Sequence, residues 1–135
     1  TEENTLSLHD ALPISLLLPV SAPFHCSLMK PAAERLKSKL ASVSINAPVV
    51  PVVNNIDVRV ESDPAKIRDA LYRQAFGPVR WFETVQALRA LGIGLLVECG
   101  PGKVLAGMVK RIDSTAESGA VYDPASLAEV RGLLA

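Results

Sequence analysis

The residues able to do chemistry are few, and most gather in one stretch, Leu18-Pro19-Val20-Ser21-Ala22-Pro23-Phe24-His25-Cys26-Ser27-Leu28-Met29. His25 is the natural proton carrier, because an imidazole titrates near neutrality and can act as general base and general acid. The residues before it are apolar and include Pro19 and Pro23, which disfavour helix, whereas those after it carry helical periodicity. A strand over Leu16 to Phe24 is therefore expected to give way to a helix at His25. Chemistry is common at such corners of α/β folds, although a lone histidine is more often a cap or a core residue. Cys26 is the adjacent nucleophile. Neighbours on an extended segment point to opposite faces, which argues against a His25–Cys26 dyad. Cys26 and Cys99 show no metal-ligand spacing, and two isolated cysteines suit a reduced compartment. Gly100-Pro101-Gly102-Lys103 invites comparison with a phosphate-binding loop but lacks the Gly-x-x-x-x-Gly-Lys-Ser/Thr pattern, so the sequence predicts a tight strand-to-helix turn there.

Three segments carry a more specific signal: Ser21-Ala22-Pro23-Phe24-His25-Cys26-Ser27-Leu28-Met29 followed by Pro31-Ala32-Ala33; Pro51-Val52-Val53-Asn54-Asn55; and Glu98-Cys99-Gly100-Pro101-Gly102-Lys103-Val104-Leu105. In this order and at this spacing they resemble the bacterial malonyl-CoA:acyl-carrier-protein transacylases, over about residues 16–112. The resemblance implies an α/β fold: the C-terminal part of a hydrolase-like transacylase core, with the last strand of a ferredoxin-like small subdomain at its start. It implies transfer of malonyl from coenzyme A, through a seryl ester, to the phosphopantetheine thiol of acyl carrier protein in fatty acid biosynthesis. No metal or redox cofactor is implied, the coenzyme A thioester being a substrate. The family histidine maps onto His25. Its orienting main-chain carbonyl maps onto Gln74, and the residue that goes with malonyl selectivity maps onto Phe24. For Gln74 the sequence adds a physical reason: its carbonyl would accept from residue 78 in an α-helix, and Pro78 has no N–H. A bond from Gly77 could compete, and a polar residue with no role at a helix end is the alternative. The serine elbow Gly-x-Ser-x-Gly is absent from this sequence, and no arginine here matches the one that pairs with malonate. The 135-residue chain is accordingly expected to be inactive alone.

The resemblance also divides the chain. Residues 1–15 match nothing in the family and are expected to be foreign or out of frame. Residues 16–28 are expected to end the small subdomain, 29–112 to belong to the large α/β subdomain, and 113–135 to form a linker and short C-terminal helix. Two alternatives stay open: an acyltransferase domain of a polyketide or multidomain fatty acid synthase, and a non-catalytic remnant that binds carrier protein.

Composition limits the other classes. Fourteen basic and fourteen acidic residues cancel, which argues against nucleic acid as a partner. The apolar run near Leu12 to Val20 is broken by prolines, has no basic residue before it and is too short to span a bilayer. No membrane partner is expected, and a cytoplasmic location is.

The elements that must position the site follow from pattern. Pro31 fits the first turn of a helix running to about Val43, with Ala32, Ala33, Leu36, Leu40 and Val43 as its core stripe. Val49–Val53 reads as a buried strand, Asn54-Asn55 as a turn or a loop near the site, and Ile56 to Val60 as an extended segment with one wet face. Asp63-Pro64 starts a helix that puts Ile67, Ala70, Leu71 and Gln74 on one face and ends at Gly77-Pro78. A further helix turns Trp81, Val85 and Leu88 inward and stops at Gly92. Ile93–Cys99 reads as a buried strand, followed by a helix carrying Leu105, Met108, Val109 and Ile112. Asp113–Val121 reads as a polar linker, and a weakly packed last helix begins at Asp123-Pro124.

Overall fold

In the computed structural model, residues 22–134 are described. A 3₁₀ turn, Ser27–Met29, leads into α1 (Lys30–Ala41). A two-residue hairpin follows, β1 (Val53–Asn54) and β2 (Arg59–Val60), then α2 (Pro64–Gln74) and α3 (Trp81–Ala90). The chain closes with β3 (Leu95–Cys99), α4 (Val104–Ile112), β4 (Glu117–Val121) and α5 (Pro124–Leu133). β1 and β2 are antiparallel and β3 and β4 parallel, in register Leu95 with Glu117 through Cys99 with Val121. The architecture is α/β: β3–α4–β4 is a strand–helix–strand unit with α3, α4 and α5 packed about it.

The core sits in that second half. Val85, Leu96, Val109 and Ala116 are buried together, with Trp81, Leu88 and Ile112 packed against them. Gly92 ends α3 at φ +83, and its N–H and that of Ile93 return to the carbonyls of Arg89 and Leu88. This double bond pattern is available to a left-handed residue at low cost only when it is glycine. Both Asp-Pro helix starts behave as read: Asp63 accepts from Ala65 N, and Asp123 forms a reciprocal cap with Ser126.

Several expectations need correction. Residues 113–121 are not a linker, because Glu117–Val121 is the second parallel strand. The last helix packs firmly, with Val130 and Ser126 buried. It seats on Gly119, where an added Cβ would lie 2.8 Å from Val130 Cγ2. Valine is stiff at χ1, so Gly119→Leu should cost about 1–3 kcal/mol by overpacking, read from a shift in the denaturant midpoint.

Val49–Val53 is not a buried strand. Val49 is 100% exposed and only Val53 enters β1. Residues 55–58 form a turn rather than an extended stretch, with Val58 at φ +53. The α1 stripe is core only at Ala33; Leu36 and Val43 are exposed. Gly100 and Gly102 have no left-handed φ and nothing near their Cβ positions among the described residues, so this chain's own packing does not demand glycine in that turn. The expected strand over Leu16 to Phe24 falls outside the described residues up to Ser21, as do residues 1–15; Ala22–Phe24 belong to a turn.

Arg89 secures the entry to both parallel strands. Its guanidinium donates to Ile93 O (2.7 Å), Asp113 Oδ2 (2.8 Å) and Thr115 Oγ1 (3.0 Å). The Thr115 hydroxyl, then Arg89 and the Thr115 N–H, hold the Asp113 carboxyl down at about 2 against an ordinary 3.8. A depressed carboxylate stabilises the fold above its unfolded pKa and loses that contribution as pH falls through its folded pKa. Asp113→Asn should therefore flatten the stability–pH curve between its ordinary value and about 2 and leave its slope near neutrality unchanged, as urea melts across that range would show.

Candidate active site

His25 occupies the turn before α1 with φ +58. That left-handed conformation is uncommon for a residue with a Cβ and costs of order 1–2 kcal/mol. On either side, Phe24 N donates to Ala22 O and Met29 N to Cys26 O. Cys26 Sγ donates to Pro23 O at 3.1 Å. The thiol is thus turned back on the preceding turn, which removes it from partnership with His25, though by turn geometry and not by the strand alternation expected. The His25 side chain is exposed, as is Phe24 at 57%.

Gln74 is the last residue of α2. Its neighbour Arg73 takes both available helical donors, since Phe76 N and Gly77 N each reach Arg73 O, at 3.3 and 2.9 Å. Pro78 has no N–H to give. Neither the α-helical nor the 3₁₀ donor therefore engages the Gln74 carbonyl, which ends the helix at the negative pole of its dipole. The Gln74 side chain lines a cavity of about 200 Å³ with Ile67, Ala70 and Leu71 of the same helix face.

This helix end is held by parts the sequence did not announce. Asn55 Nδ2 donates to Pro78 O, and Arg80 N donates to Asn55 Oδ1. Arg73 forks onto both oxygens of Asp57 at 2.8 and 2.7 Å and donates Nε to Asp69 at 2.6 Å. The paired charges move together: Arg73 lowers the Asp57 pKa, and Asp57 then Asp69 raise that of Arg73. Ile56 lies so close to Gly77 that a side chain there would collide with it. Asn54-Asn55 is thus a turn, with Asp57 N bound to Asn54 Oδ1, but it is also the strap over the turn that follows Gln74. Only the Asp69–Arg73 spacing of four was readable in advance; the Asp57 and Asn55 bonds span 16 and 23 residues.

Helix contacts place the two candidates relative to one another. The Tyr72 hydroxyl donates to Glu34, and Lys37 Nζ stands 4.8 Å from the Tyr72 ring centre. One turn earlier in α2, Arg68 reaches the carbonyls of Leu40 and Val43. Residue numbers rise in α1 as they fall in α2, so the pair is antiparallel. His25, before the start of α1, and Gln74, at the end of α2, belong to the same end of it. No hydrogen bond joins them among the described residues. Among those residues, too, no group of three His, Cys, Asp or Glu side chains could hold a metal ion, and no helix is long and apolar enough to cross a membrane.

No family model matches the chain. It is 53% identical over 113 residues to the malonyl CoA-acyl carrier protein transacylase of Salmonella typhimurium, covering 84% of this chain and 37% of that one. It superposes on the crystal structure of the acyl-carrier-protein S-malonyltransferase from Burkholderia pseudomallei with a TM-score of 0.80 at 60% identity, covering 85% of this chain and 38% of that one. A malonyl-transacylase solved in complex with its type II acyl-carrier protein matches with a TM-score of 0.78 at 50% identity, over 82% and 36% of the two chains. The fold is the α/β fold of these transferases over the part of their length that the chain covers. More narrowly, the chain belongs to the malonyl CoA-acyl carrier protein transacylase family, and it spans a little over a third of the length of the curated relatives it matches.

Proposed function

We propose that this chain supplies the acid–base half of a malonyl-CoA:acyl-carrier-protein transacylase, in fatty acid biosynthesis in the cytoplasm. The observation that carries the reading is the Gln74 carbonyl, passed over by its helical donors, at the same end of the α1–α2 pair as His25. In the reaction His25 takes the proton of a serine hydroxyl as that oxygen attacks the malonyl thioester carbonyl, and gives it to the departing coenzyme A sulfur. The product is a malonyl-serine ester. His25 then takes the proton of the carrier protein's phosphopantetheine thiol, whose sulfur attacks the ester, and returns it to the serine oxygen. The Gln74 carbonyl accepts from the other imidazole nitrogen and stabilises the imidazolium in the role a carboxylate plays in most Ser–His enzymes. The serine and the group that binds the malonate carboxylate come from sequence that this chain does not contain. No resident cofactor takes part.

A chimera tests this: a full-length relative in which residues 22–134 of this chain replace the corresponding segment. It should transfer malonyl from coenzyme A to acyl carrier protein at a rate within about tenfold of the relative; a folded chimera without transfer would refute the reading. Within it, Phe24 selects against a branch. A ring beside the acyl group crowds the methyl of methylmalonyl, a discrimination worth about 1–3 kcal/mol. Phe24→Ser should raise the methylmalonyl-to-malonyl ratio of kcat/KM, and an unchanged ratio would remove Phe24 from selectivity.

A further inference from the structure

Nothing within α2 sets the direction of the Gln74 carbonyl. Pro78 has no N–H, and the N–H of Gly77 goes to Arg73 O; a helix end left in this way frays. Residues of the β1–β2 turn grip the chain on both sides of it. Before Gln74, Arg73 forks onto Asp57 at 2.8 and 2.7 Å. After it, Ile56 packs on Gly77, and Asn55 bridges Pro78 O (3.2 Å) and Arg80 N (2.8 Å). Asn54 fixes the turn itself: its Oδ1 accepts from Asp57 N and its backbone carbonyl from Val58 N. Val58 lies at φ +53. A β-branched residue adopts that conformation only where its surroundings impose it, and imposed strain clusters at functional sites.

We infer that Asp57 and Asn55 are positioning residues: through Arg73 on one side and Pro78 on the other, they aim the Gln74 carbonyl at the imidazole of His25. The inference rests on the function proposed above and deepens it. A group that orients a catalytic base must be held to within about 0.5 Å. The Asp57–Arg73 fork suits that need, because a guanidinium bonded to both oxygens of one carboxylate is fixed in plane as well as in distance. Asp69 cannot replace it. Asp69 belongs to α2 itself, four residues before Arg73, so it moves with the helix, whereas Asp57 ties the helix end to a different element. Asn55 does the same for the segment after Gln74.

The test uses the full-length chimera. Asp57→Asn, which keeps the shape and removes the charge, should lower kcat about tenfold and leave the KM for malonyl-CoA within about twofold. Asp57→Glu should restore most of the loss. Arg73→Lys keeps a charge but cannot fork, and should lose as much as Asp57→Asn. Two readouts separate positioning from structure. In a His25→Ala background the same Asp57→Asn change should cost less than about twofold, because no imidazole remains to be oriented. Asp113→Asn, which breaks the ion pair with Arg89 at the strand entry, should lower stability and leave kcat unchanged. Hydrogen exchange at the amides of Phe76 and Gly77, both bonded to Arg73 O, should quicken about tenfold in Asp57→Asn. Normal kcat in Asp57→Asn, an equal loss with and without His25, or unchanged exchange at Phe76 and Gly77 would each overturn the inference. A folded chimera that transfers no malonyl would count against the proposed function instead, and the exchange rates would then decide whether the turn holds the helix end.

Discussion

His25→Ala, made in the full-length chimera, should lower malonyl transfer by about 10²–10⁴-fold, the contribution typical of a positioned acid–base group. His25 is held at φ +58, a conformation that a residue with a Cβ adopts at a cost and that recurs where surroundings impose it at reactive sites. The strain also supplies a control. Glycine is at ease at this φ, so His25→Gly should keep or raise stability while losing the same activity, which separates loss of the imidazole from loss of the turn. Gln74→Ala should cost far less, because it leaves the carbonyl in place and trims only a side chain that lines the cavity beside α2. Arg73→Ala should fall between the two. It releases the Asp57 and Asp69 contacts that hold the end of α2 without touching the reacting atoms. Near-normal turnover in His25→Ala would remove this residue from the mechanism; equal losses in Gln74→Ala and His25→Ala would move the role of Gln74 from backbone to side chain.

What the sequence disclosed depended on how local the cause was. Asp63-Pro64 and Asp123-Pro124 each contain a cap and the fixed φ of the first helical residue, and both helices start there. Gly92 carries its own reason for ending α3. Apolar composition was less informative, because it states what favours burial and not what covers it. Val49–Val53 and the α1 stripe have the right residues, yet Val49, Val50, Leu36 and Val43 stay exposed. β4 erred the other way. Glu-Ser-Gly-Ala has little β-propensity, and Gly119 is there because α5 needs the space, a tertiary cause that propensity does not see. In the candidate site, the helix that begins after His25 and the missing N–H at Pro78 were legible because each lies in a few consecutive residues. The strap from Asn55 and Asp57 was not, since it joins the hairpin turn to the end of α2 across a long separation. The parallel pairing of β3 with β4 likewise depends on a crossover through α4.

The 135-residue chain alone should show no acyl transfer, a loss to the limit of detection against a full-length transacylase. A histidine and an orienting carbonyl can move a proton, but a two-stage transfer also needs an atom to hold the malonyl group between stages. That atom must sit at a strained turn beside backbone N–H donors that stabilise the tetrahedral oxyanion, and no serine here lies in Gly-x-Ser-x-Gly. Cys26 is the nucleophile nearest in sequence. Its Sγ donates to Pro23 O, and its backbone begins the 3₁₀ turn instead of offering an elbow. Cys99 is exposed at the end of β3, but the three residues after it are Gly-Pro-Gly, so one of the N–H groups an oxyanion hole could use is missing at Pro101. Incubation with radiolabelled malonyl-CoA, followed by denaturing electrophoresis and by assay of label on acyl carrier protein, should find neither a covalent acyl-protein nor transferred label. Adding the remainder of a relative should restore both if the two parts assemble. Stoichiometric labelling of the lone chain with onward transfer would mean that a nucleophile lies within these 135 residues, and a Cys26→Ser or Cys99→Ser variant would then identify which sulfur carries the acyl group.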